Sequence, residues 1–299
     1  MRLPTIRQLQ YFLALCDEQH FGHAAERCFV SQSAFSNAIQ ELESALNAQL
    51  VDRTNRSVTI TAKGQEVATQ ARLVIRDVES LVEIAEGDAK PLCGELRLGV
   101  IPTIAPFMLP PVLPKIRKSH PDLELLLIED QTQRIYDRLM SGELDVLLLA
   151  LPWDMQGVEE HVLFRDRFCL AYRHGTGRVD PDNYRFNRLD ADSVLLLEDG
   201  HCLRDHALAA CKIRNTEKVR RFGASSLLTL VEMVDADLGI TYLPEMARGS
   251  SLLKNTRVRL HDLADQSYRN VGLAWRKGSR RADEFRELGQ LITTYWEGR

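Results

Sequence analysis

The stretch FGHAAERCFVSQSAFSNAIQELESALNAQLVDRTNRSVTITAKG, residues 21–64, decides the fold of the N-terminal part of the chain. Ala24 and Ala25 are small enough to let two helices pack closely, and Ser31 can cap the second helix by accepting a backbone N–H. The second helix would bury one apolar face, formed by Phe35, Ile39, Leu42 and Leu46. A helix, a short turn and a second helix with a small-residue contact predict a helix-turn-helix.

The flanking segments extend this unit into a winged helix-turn-helix. Upstream, residues 6–16 are apolar with the 3.6-residue period of an amphipathic helix. Downstream, Val58 and Ile60 alternate with polar residues, which predicts a small two-stranded wing. The wing would carry Arg53, Arg56 and Lys63. The predicted domain covers residues 1–61.

Residues 62–90 contain no proline and predict one long helix. Its apolar positions are spaced 4, 3, 4, 3 and 4 residues apart: Val67, Ala71, Val74, Val78, Leu81 and Ala85. This is a heptad seam, the pattern of a two-stranded coiled coil. Because the spacing follows 3.5 rather than 3.6 residues and the flanks are charged, we favour a dimerisation helix. The alternative is an amphipathic helix packed on its own domain.

Beyond Pro91 strands and helices alternate up to residue 299. The predicted strands are Leu96–Ile101, Leu123–Ile128, Asp145–Ala150, Val194–Leu197, Gly239–Tyr242 and Asn270–Trp275. The predicted helices are Phe107–Ser119, Gln133–Ser141, Cys202–Ile213, Ser225–Asp237 and Ala282–Trp296. Alternating elements of this size predict an α/β domain of βαβ units on mainly parallel sheets.

Charge and targeting signals narrow the class of protein. The formal net charge of −4 argues against a generic polyanion binder but allows a locally basic DNA-binding module. The N-terminus lacks the basic start and apolar run of a signal peptide, and no stretch approaches the ~18 apolar residues of a membrane helix. We therefore expect a cytoplasmic protein, in which the six cysteines rest as thiols and a disulfide would be transient.

Residues 21–64 resemble the winged helix-turn-helix of LysR-type transcriptional regulators. The region from 91 to 299 resembles the effector domain of that family, which has two subdomains of the periplasmic-binding-protein type. The resemblance covers essentially the whole chain, and implies subdomain I at about 91–165 and 269–299 and subdomain II at about 166–268. Four motifs are similar to the peroxide-sensing branch of the family: VIPTIAPFMLP (100–110), EDQTQ (129–133), LEDGHCLRD (197–205) and GLAWRKGS (272–279).

For the sensor site, the resemblance implies that Cys202 is oxidised by hydrogen peroxide to a sulfenic acid, which then forms a disulfide with Cys211. It implies no cofactor and no metal. The residues that would bind peroxide are Thr103, Thr132, His201, Asp205 and Arg276. His206 stands where we would expect glutamine in the enterobacterial version of this branch, and adds a titratable group one turn from Cys202.

The chemistry of Cys202 agrees with this role. A thiolate rather than a thiol attacks peroxide, so its pKa should fall below ~8.5 through a helix N-terminus or a nearby cation such as Arg204 or Arg276. If residues 202–211 are helical, the two α-carbons lie ~13.5 Å apart, whereas a disulfide needs them within ~7 Å. Forming the bond would therefore unwind or move this helix, which would change the oligomer and its DNA contacts.

For the DNA interface, polar residues on or near the exposed face of the second helix are the candidates: Ser31, Gln32, Ser33, Ser36, Asn37 and Gln40. Glutamine and asparagine can pair with adenine in the major groove, whereas Arg53, Arg56 and Lys63 would contact phosphates or the minor groove. Ser33 stands where the family often has proline, and Asn37 where it often has arginine or a polar residue. The implied partners are promoter DNA with pseudo-palindromic half-sites, a second copy in a homodimer or homotetramer, RNA polymerase and a thiol reductant.

Other interpretations remain open. Cysteine is often inert core packing, which is how we interpret Cys16, Cys28, Cys93 and Cys169. Four zinc-capable side chains cluster in sequence, His201, Cys202, His206 and Cys211, but their spacing lacks a zinc knuckle. A LysR-type regulator of a small organic ligand is the alternative function, and a thiol peroxidase a further one. We predict a regulator rather than an enzyme because the chain carries the DNA-binding module.

Overall fold

The computed structural model describes residues 3–53, 58–86, 91–210, 218–220, 223–263 and 267–298. Their contacts group the chain into two compact units. Unit 1 comprises Met1–Lys90 with Met140–Glu143, and unit 2 comprises Pro91–Leu139 with Leu144–Arg299. Each unit has its own apolar core. Among the described residues, no helix has the length and hydrophobicity needed to cross a membrane.

Unit 1 is built from helices and a wing, as the sequence predicted. The elements are α1 (Ile6–Glu18), α2 (Phe21–Arg27), α3 (Gln32–Leu46), β1 (Val51–Arg53) and β2 (Val58–Ile60). The two strands pair antiparallel and form the wing. The Ser31 hydroxyl caps α3 by accepting the backbone N–H of Ala34 at 3.3 Å, which confirms the predicted cap.

The core of unit 1 holds α3 in place. Phe35 is fully buried, stacks on Tyr11 at 5.2 Å between ring centroids and meets Phe21 edge-on at 6.1 Å. The Glu43 carboxylate accepts the backbone N–H groups of Leu50 and Val51, at 2.8 and 3.1 Å, and so fixes the start of the wing to α3. These contacts leave the opposite face of α3 free to face a partner.

The apolar residues of the long helix α4 (Ala62–Glu86) are covered in its first half and exposed further along. Its first half packs on α1, and Ala68 and Ala71 are buried there. Further along, Val78, Leu81 and Val82 are 37, 62 and 50% exposed. This second part therefore presents an apolar stripe that its own unit does not cover.

Unit 2 is an α/β domain with a mixed sheet. Its described strands are β3 (Gly94–Val100), β4 (Leu123–Glu129), β5 (Val146–Leu151), β6 (Val158–Arg173), β7 (Thr241–Pro244), β8 (Val258–Asp262) and β9 (Tyr268–Arg276). Its described helices are α5 (Ala105–Ser119), α6 (Thr132–Met140), α7 (Cys202–Ala210), α8 (Leu227–Asp235) and α9 (Ala282–Glu297). The strand order is β4-β3-β5-β9-β6-β7, with β8 also pairing with β6.

The expectation of mainly parallel pairing is wrong. β3 is parallel to β4 and β5, but β9 is antiparallel to β5 and β6, and β6 is antiparallel to β7 and β8. Of the six strand pairs described in unit 2, four are antiparallel, and three of these involve β6, which was not predicted as a strand. A bulge between Val162 and Phe164 shifts its register, so its side chains do not alternate in the way a regular strand requires. The predicted strand at Val194–Leu197 forms only isolated parallel bridges.

Because β3 and β4 pair parallel, they place two segments of the candidate site next to each other. The carboxyl ends of parallel neighbours lie at the same edge of a sheet. β3 ends at Val100 and β4 at Glu129, so the loops that follow them lie side by side. The loop after β3 carries Thr103, and the loop after β4 leads into α6, whose first residue is Thr132.

Candidate functional site

Cys202 is the first residue of α7, and only 2% of its surface is exposed. The turn before it needs a glycine: Gly200 has φ +97°, and a Cβ there would lie 2.9 Å from Oε1 of Gln131. His201 is buried next to it, with Nε2 3.4 Å from Nε2 of Gln131. The start of α7 is therefore packed directly against the loop that leads into α6.

Thr132, the first residue of α6, lies close to the thiol. Its hydroxyl is buried and makes no hydrogen bond of ordinary geometry within the described residues. It is nevertheless close enough to Cys202 to lower the pKa of the thiol by hydrogen bonding. The hydroxyl is therefore near the Cys202 thiol and is not held by another group within the described residues.

Arg269 supplies a fixed positive charge beside the site. Its side chain is fully buried in an ion pair with Asp166, with 3.0 Å between Nε and Oδ2. Its other nitrogens donate to the hydroxyl and the carbonyl oxygen of Thr103, both at 2.9 Å. Asp166 also accepts the backbone N–H of Met246 at 3.1 Å. A guanidinium held in this way cannot turn away from the site without breaking buried hydrogen bonds.

Burial has the largest influence on Cys202. It raises the pKa of the thiol, because a thiolate is poorly solvated there; the Thr132 hydroxyl and the Arg269 charge lower it, and Asp205 raises it. The net shift is upward, so the expectation of a lowered pKa is wrong for this conformation. The site holds a protonated thiol next to the groups that would stabilise its anion.

The cation of the site also differs from the expected ones. The guanidinium of Arg276 donates to the carbonyl oxygens of Leu139 and Leu144, and Arg204 pairs with Asp199 at 3.2 Å. Arg269 acts on the Cys202 pKa in their place. Arg269 was not predicted from the sequence. An arginine near the start of the apolar strand β9 could have indicated it, because a buried charge requires a partner.

Asp205 and His206, which follow Cys202 on α7, differ in their exposure to solvent. Asp205 is exposed on the first turn of α7. The His206 ring has Nε2 3.0 Å from the carbonyl oxygen of Pro152, which can only accept, so the hydrogen lies on Nε2. Its Nδ1 is buried and has no partner within the described residues, and burial lowers the pKa of the ring. His206 is therefore neutral at pH 7.

The other cysteines differ in their burial. Cys211, the predicted partner of Cys202, lies outside the described residues. Burial raises the pKa of Cys16 and of Cys169 to about 11, which fits inert packing. Cys93 is exposed, so the interpretation of this residue as core packing is wrong. In the part of the chain that the structure describes, no three His, Cys, Asp or Glu side chains gather as a metal site would require.

Most of the residues predicted to contact DNA from α3 are exposed. Ser31, Gln32, Ser33, Asn37 and Gln40 are exposed, and Ser36 is half-buried. Lys63 is exposed and pairs with Glu66. Arg56 lies outside the described residues, as does the side chain of Arg53. The described part of the predicted interface thus consists of polar residues at the start and along the outside of α3, together with Lys63 on α4.

Comparison with known proteins identifies the family. The family described as "Bacterial regulatory helix-turn-helix protein, lysR family" matches residues 6–65, and "LysR substrate binding domain" matches residues 89–297. The chain belongs to the LysR family of transcriptional regulators. As a member of that family it is a DNA-binding regulator rather than an enzyme, and its regulatory domain has the periplasmic-binding-protein type of fold.

The relatives of this LysR-type regulator extend along its whole length. The "HTH-type transcriptional regulator EstR" of Acinetobacter baylyi is 39% identical over 95% of this chain and 94% of its own. The "Hydrogen peroxide-inducible genes activator" of Escherichia coli O157:H7 is 36% identical over 98% and 96%. The structure of full-length OxyR C199D from Pseudomonas aeruginosa matches 97% of this chain and 98% of its own, with a TM-score of 0.80 and 30% identity.

Proposed function

We propose that this regulator senses hydrogen peroxide through Cys202 and transmits the oxidation to its DNA-binding domains. One observation carries the proposal: the buried thiol faces an uncommitted hydroxyl and a fixed guanidinium. An inert core cysteine needs neither of these. Similarity to a peroxide-inducible activator and to OxyR supports the same function.

The chemistry follows from these groups. The Cys202 thiol loses its proton, the sulfur attacks one peroxide oxygen, and the O–O bond breaks. The departing hydroxide takes up the proton, so thiol and peroxide become sulfenic acid and water. The Thr132 hydroxyl can donate to the departing oxygen, and Arg269 stabilises negative charge on both sulfur and oxygen. Thr103 acts by holding the guanidinium.

The next step in the proposal is a disulfide between Cys202 and Cys211. Helix α7 places the α-carbons of Cys202 and Ala210 about 12 Å apart, at ~1.5 Å per residue. The peptide link to residue 211 spans only about 3.8 Å, whereas a disulfide requires α-carbons within ~7 Å. The bond therefore requires at least part of α7 to unwind.

The oligomer would carry this change to DNA. The exposed stripe of Val78, Leu81 and Val82 on α4 fits a second copy of the same helix in a homodimer. We propose that two dimers form a homotetramer on pseudo-palindromic promoter DNA in the cytoplasm. Contact with RNA polymerase would follow binding, and a cellular thiol reductant would restore the reduced form.

A second candidate is regulation by a small organic ligand. It rests on the 39% identity to EstR, together with the match to a domain described as substrate binding. In that case metabolites, and not peroxide, would change the promoter complex, and Cys202 would be part of the ligand pocket.

Mass mapping of the cysteines after brief treatment with hydrogen peroxide separates the two. Wild-type protein should show sulfenic acid at Cys202 first and a Cys202–Cys211 disulfide afterwards. Cys169→Ser, which alters another buried cysteine, should react as the wild type does. Cys202→Ser should leave Cys211 unoxidised. If Cys202 stays reduced while other cysteines are oxidised, the peroxide proposal is wrong.

A further inference from the structure

In the part of the chain that the structure describes, Phe29 is the most exposed large apolar residue, with 95% of its surface accessible. It lies in the turn between α2 and α3, the two helices of the helix-turn-helix. Its backbone has φ +56°, in the left-handed region. Phenylalanine in a folded protein rarely has either a side chain this exposed or a left-handed backbone.

The backbone conformation comes from the end of α2. The N–H of Phe29 bonds to the carbonyl of Glu26, and the N–H of Val30 to the carbonyl of Ala25, both at 3.0 Å. The Val30 bond is the six-to-one bond of a Schellman ending, in which the residue after the C-cap takes a left-handed conformation. Glycine suits this position because a Cβ strains it, and asparagine tolerates it because its short polar side chain can form local hydrogen bonds. Phenylalanine is therefore a poor choice for the stability of the isolated domain.

The position of the ring points to a partner. Phe29 is two residues before Ser31, which caps α3, and three before Gln32. Phe29, Ser31, Gln32, Ser33 and Ala34 are all exposed. In helix-turn-helix proteins the N-terminal residues of the second helix meet base edges in the major groove. DNA binding by this family thus brings an exposed phenyl ring to the rim of that groove.

We propose that Phe29 contacts thymine methyl groups in the major groove and so adds an apolar component to sequence readout. The C5-methyl of thymine is the apolar group that base edges display there, and aromatic side chains can pack on it. The contact would bury a ring that is otherwise in water. A backbone strain retained at such a position is typical of a functional constraint.

The test compares Phe29→Gly with Gln19→Gly. Gln19 is also exposed and left-handed, with φ +50° at the end of α1, so glycine relieves strain at both positions. The probe is a duplex selected from a random-sequence library by the wild-type chain, and a copy with deoxyuridine in place of thymidine. Binding is measured by fluorescence anisotropy, and melting temperature by calorimetry.

We expect both variants to melt at a higher temperature than the wild type. Only Phe29→Gly should bind the thymidine duplex more weakly, by about fivefold to tenfold for the loss of an apolar contact. The wild type should bind the deoxyuridine duplex more weakly than the thymidine duplex, whereas Phe29→Gly should bind both alike. The dependence of affinity on salt should not change, because no phosphate contact is lost.

Three results would overturn the proposal. One is equal affinity of Phe29→Gly and the wild type for the thymidine duplex, which would assign the ring to a protein partner. Another is an equal loss of affinity for the thymidine duplex in Gln19→Gly, because the loss would then be a general effect of changing the end of a helix. The third is equal discrimination against deoxyuridine by Phe29→Gly and the wild type. Peroxide sensing plays no part in the measurement, so its failure would leave this result unaffected.

Discussion

At the scale of single residues, the hydroxyl of Thr132 is the group whose removal tests the site most selectively. Thr132→Val keeps the side-chain volume but removes the hydroxyl that lowers the pKa of the Cys202 thiol. The pKa of the thiol should rise further, and oxidation by peroxide should slow about tenfold, the effect of losing a hydrogen bond to a charged group worth ~1.5 kcal/mol.

Stopped-flow oxidation and alkylation measured against pH would check this. Because the thiol pKa is already raised, the rates of oxidation and of alkylation should both increase with pH in the wild type. In Thr132→Val the same increase in rate should occur at higher pH. Thr293→Val removes a hydroxyl bonded to Gly289 in α9 and should change neither rate. Equal curves for the Thr132 variant and the wild type would contradict the proposed role.

His206 gives a prediction for stability. Burial lowers its pKa below the ordinary value of 6.5, so the neutral ring is favoured in the folded state. As pH falls below 6.5 the unfolded chain binds a proton that the folded chain resists, and the free energy of unfolding decreases. Urea denaturation should show a smaller acid-side decrease for His206→Gln than for the wild type or for the exposed His23→Gln. Parallel curves for the two variants would disprove this.

At the scale of elements, α7 is the part that has to change. If disulfide formation requires unwinding, a weaker helix should favour it. Ala209 is exposed on α7, and Ala209→Gly costs a helix about 1 kcal/mol, a factor of about five. The ratio of disulfide to sulfenic acid under limiting peroxide should rise accordingly, whereas Gln290→Gly in α9 should leave it unchanged. An unaltered ratio in Ala209→Gly would mean that unwinding does not limit the bond.

Some elements could be predicted from the sequence and others could not. The cap of Ser31 and the period of Phe35, Ile39 and Leu42 are local, so α3 was predictable from its own residues. The strand β6 was not, because its bulge disrupts the alternation on which strand prediction depends. Arg269 was not assigned to the site because it bonds to Thr103, 166 positions earlier, and only the folded sheet brings them together.

At the scale of the whole molecule, α4 should determine the oligomer. Leu81→Asp places a charge in the exposed apolar stripe and should convert the dimer to a monomer at micromolar concentration without unfolding either unit. Gln70→Asp adds the same charge at an exposed position of the same helix and should leave the dimer intact. Sedimentation velocity distinguishes the two, and a dimeric Leu81→Asp protein would place the interface elsewhere.

The central claim is that oxidation of Cys202 changes how the protein holds DNA. The most direct measurement is a DNase footprint on the selected duplex, before and after hydrogen peroxide, for the wild type and for Cys202→Ser. We predict that peroxide alters the length or spacing of the wild-type footprint, that a thiol reductant restores it, and that Cys202→Ser keeps the reduced footprint throughout. A Cys202→Ser footprint that still responds to peroxide would contradict the account.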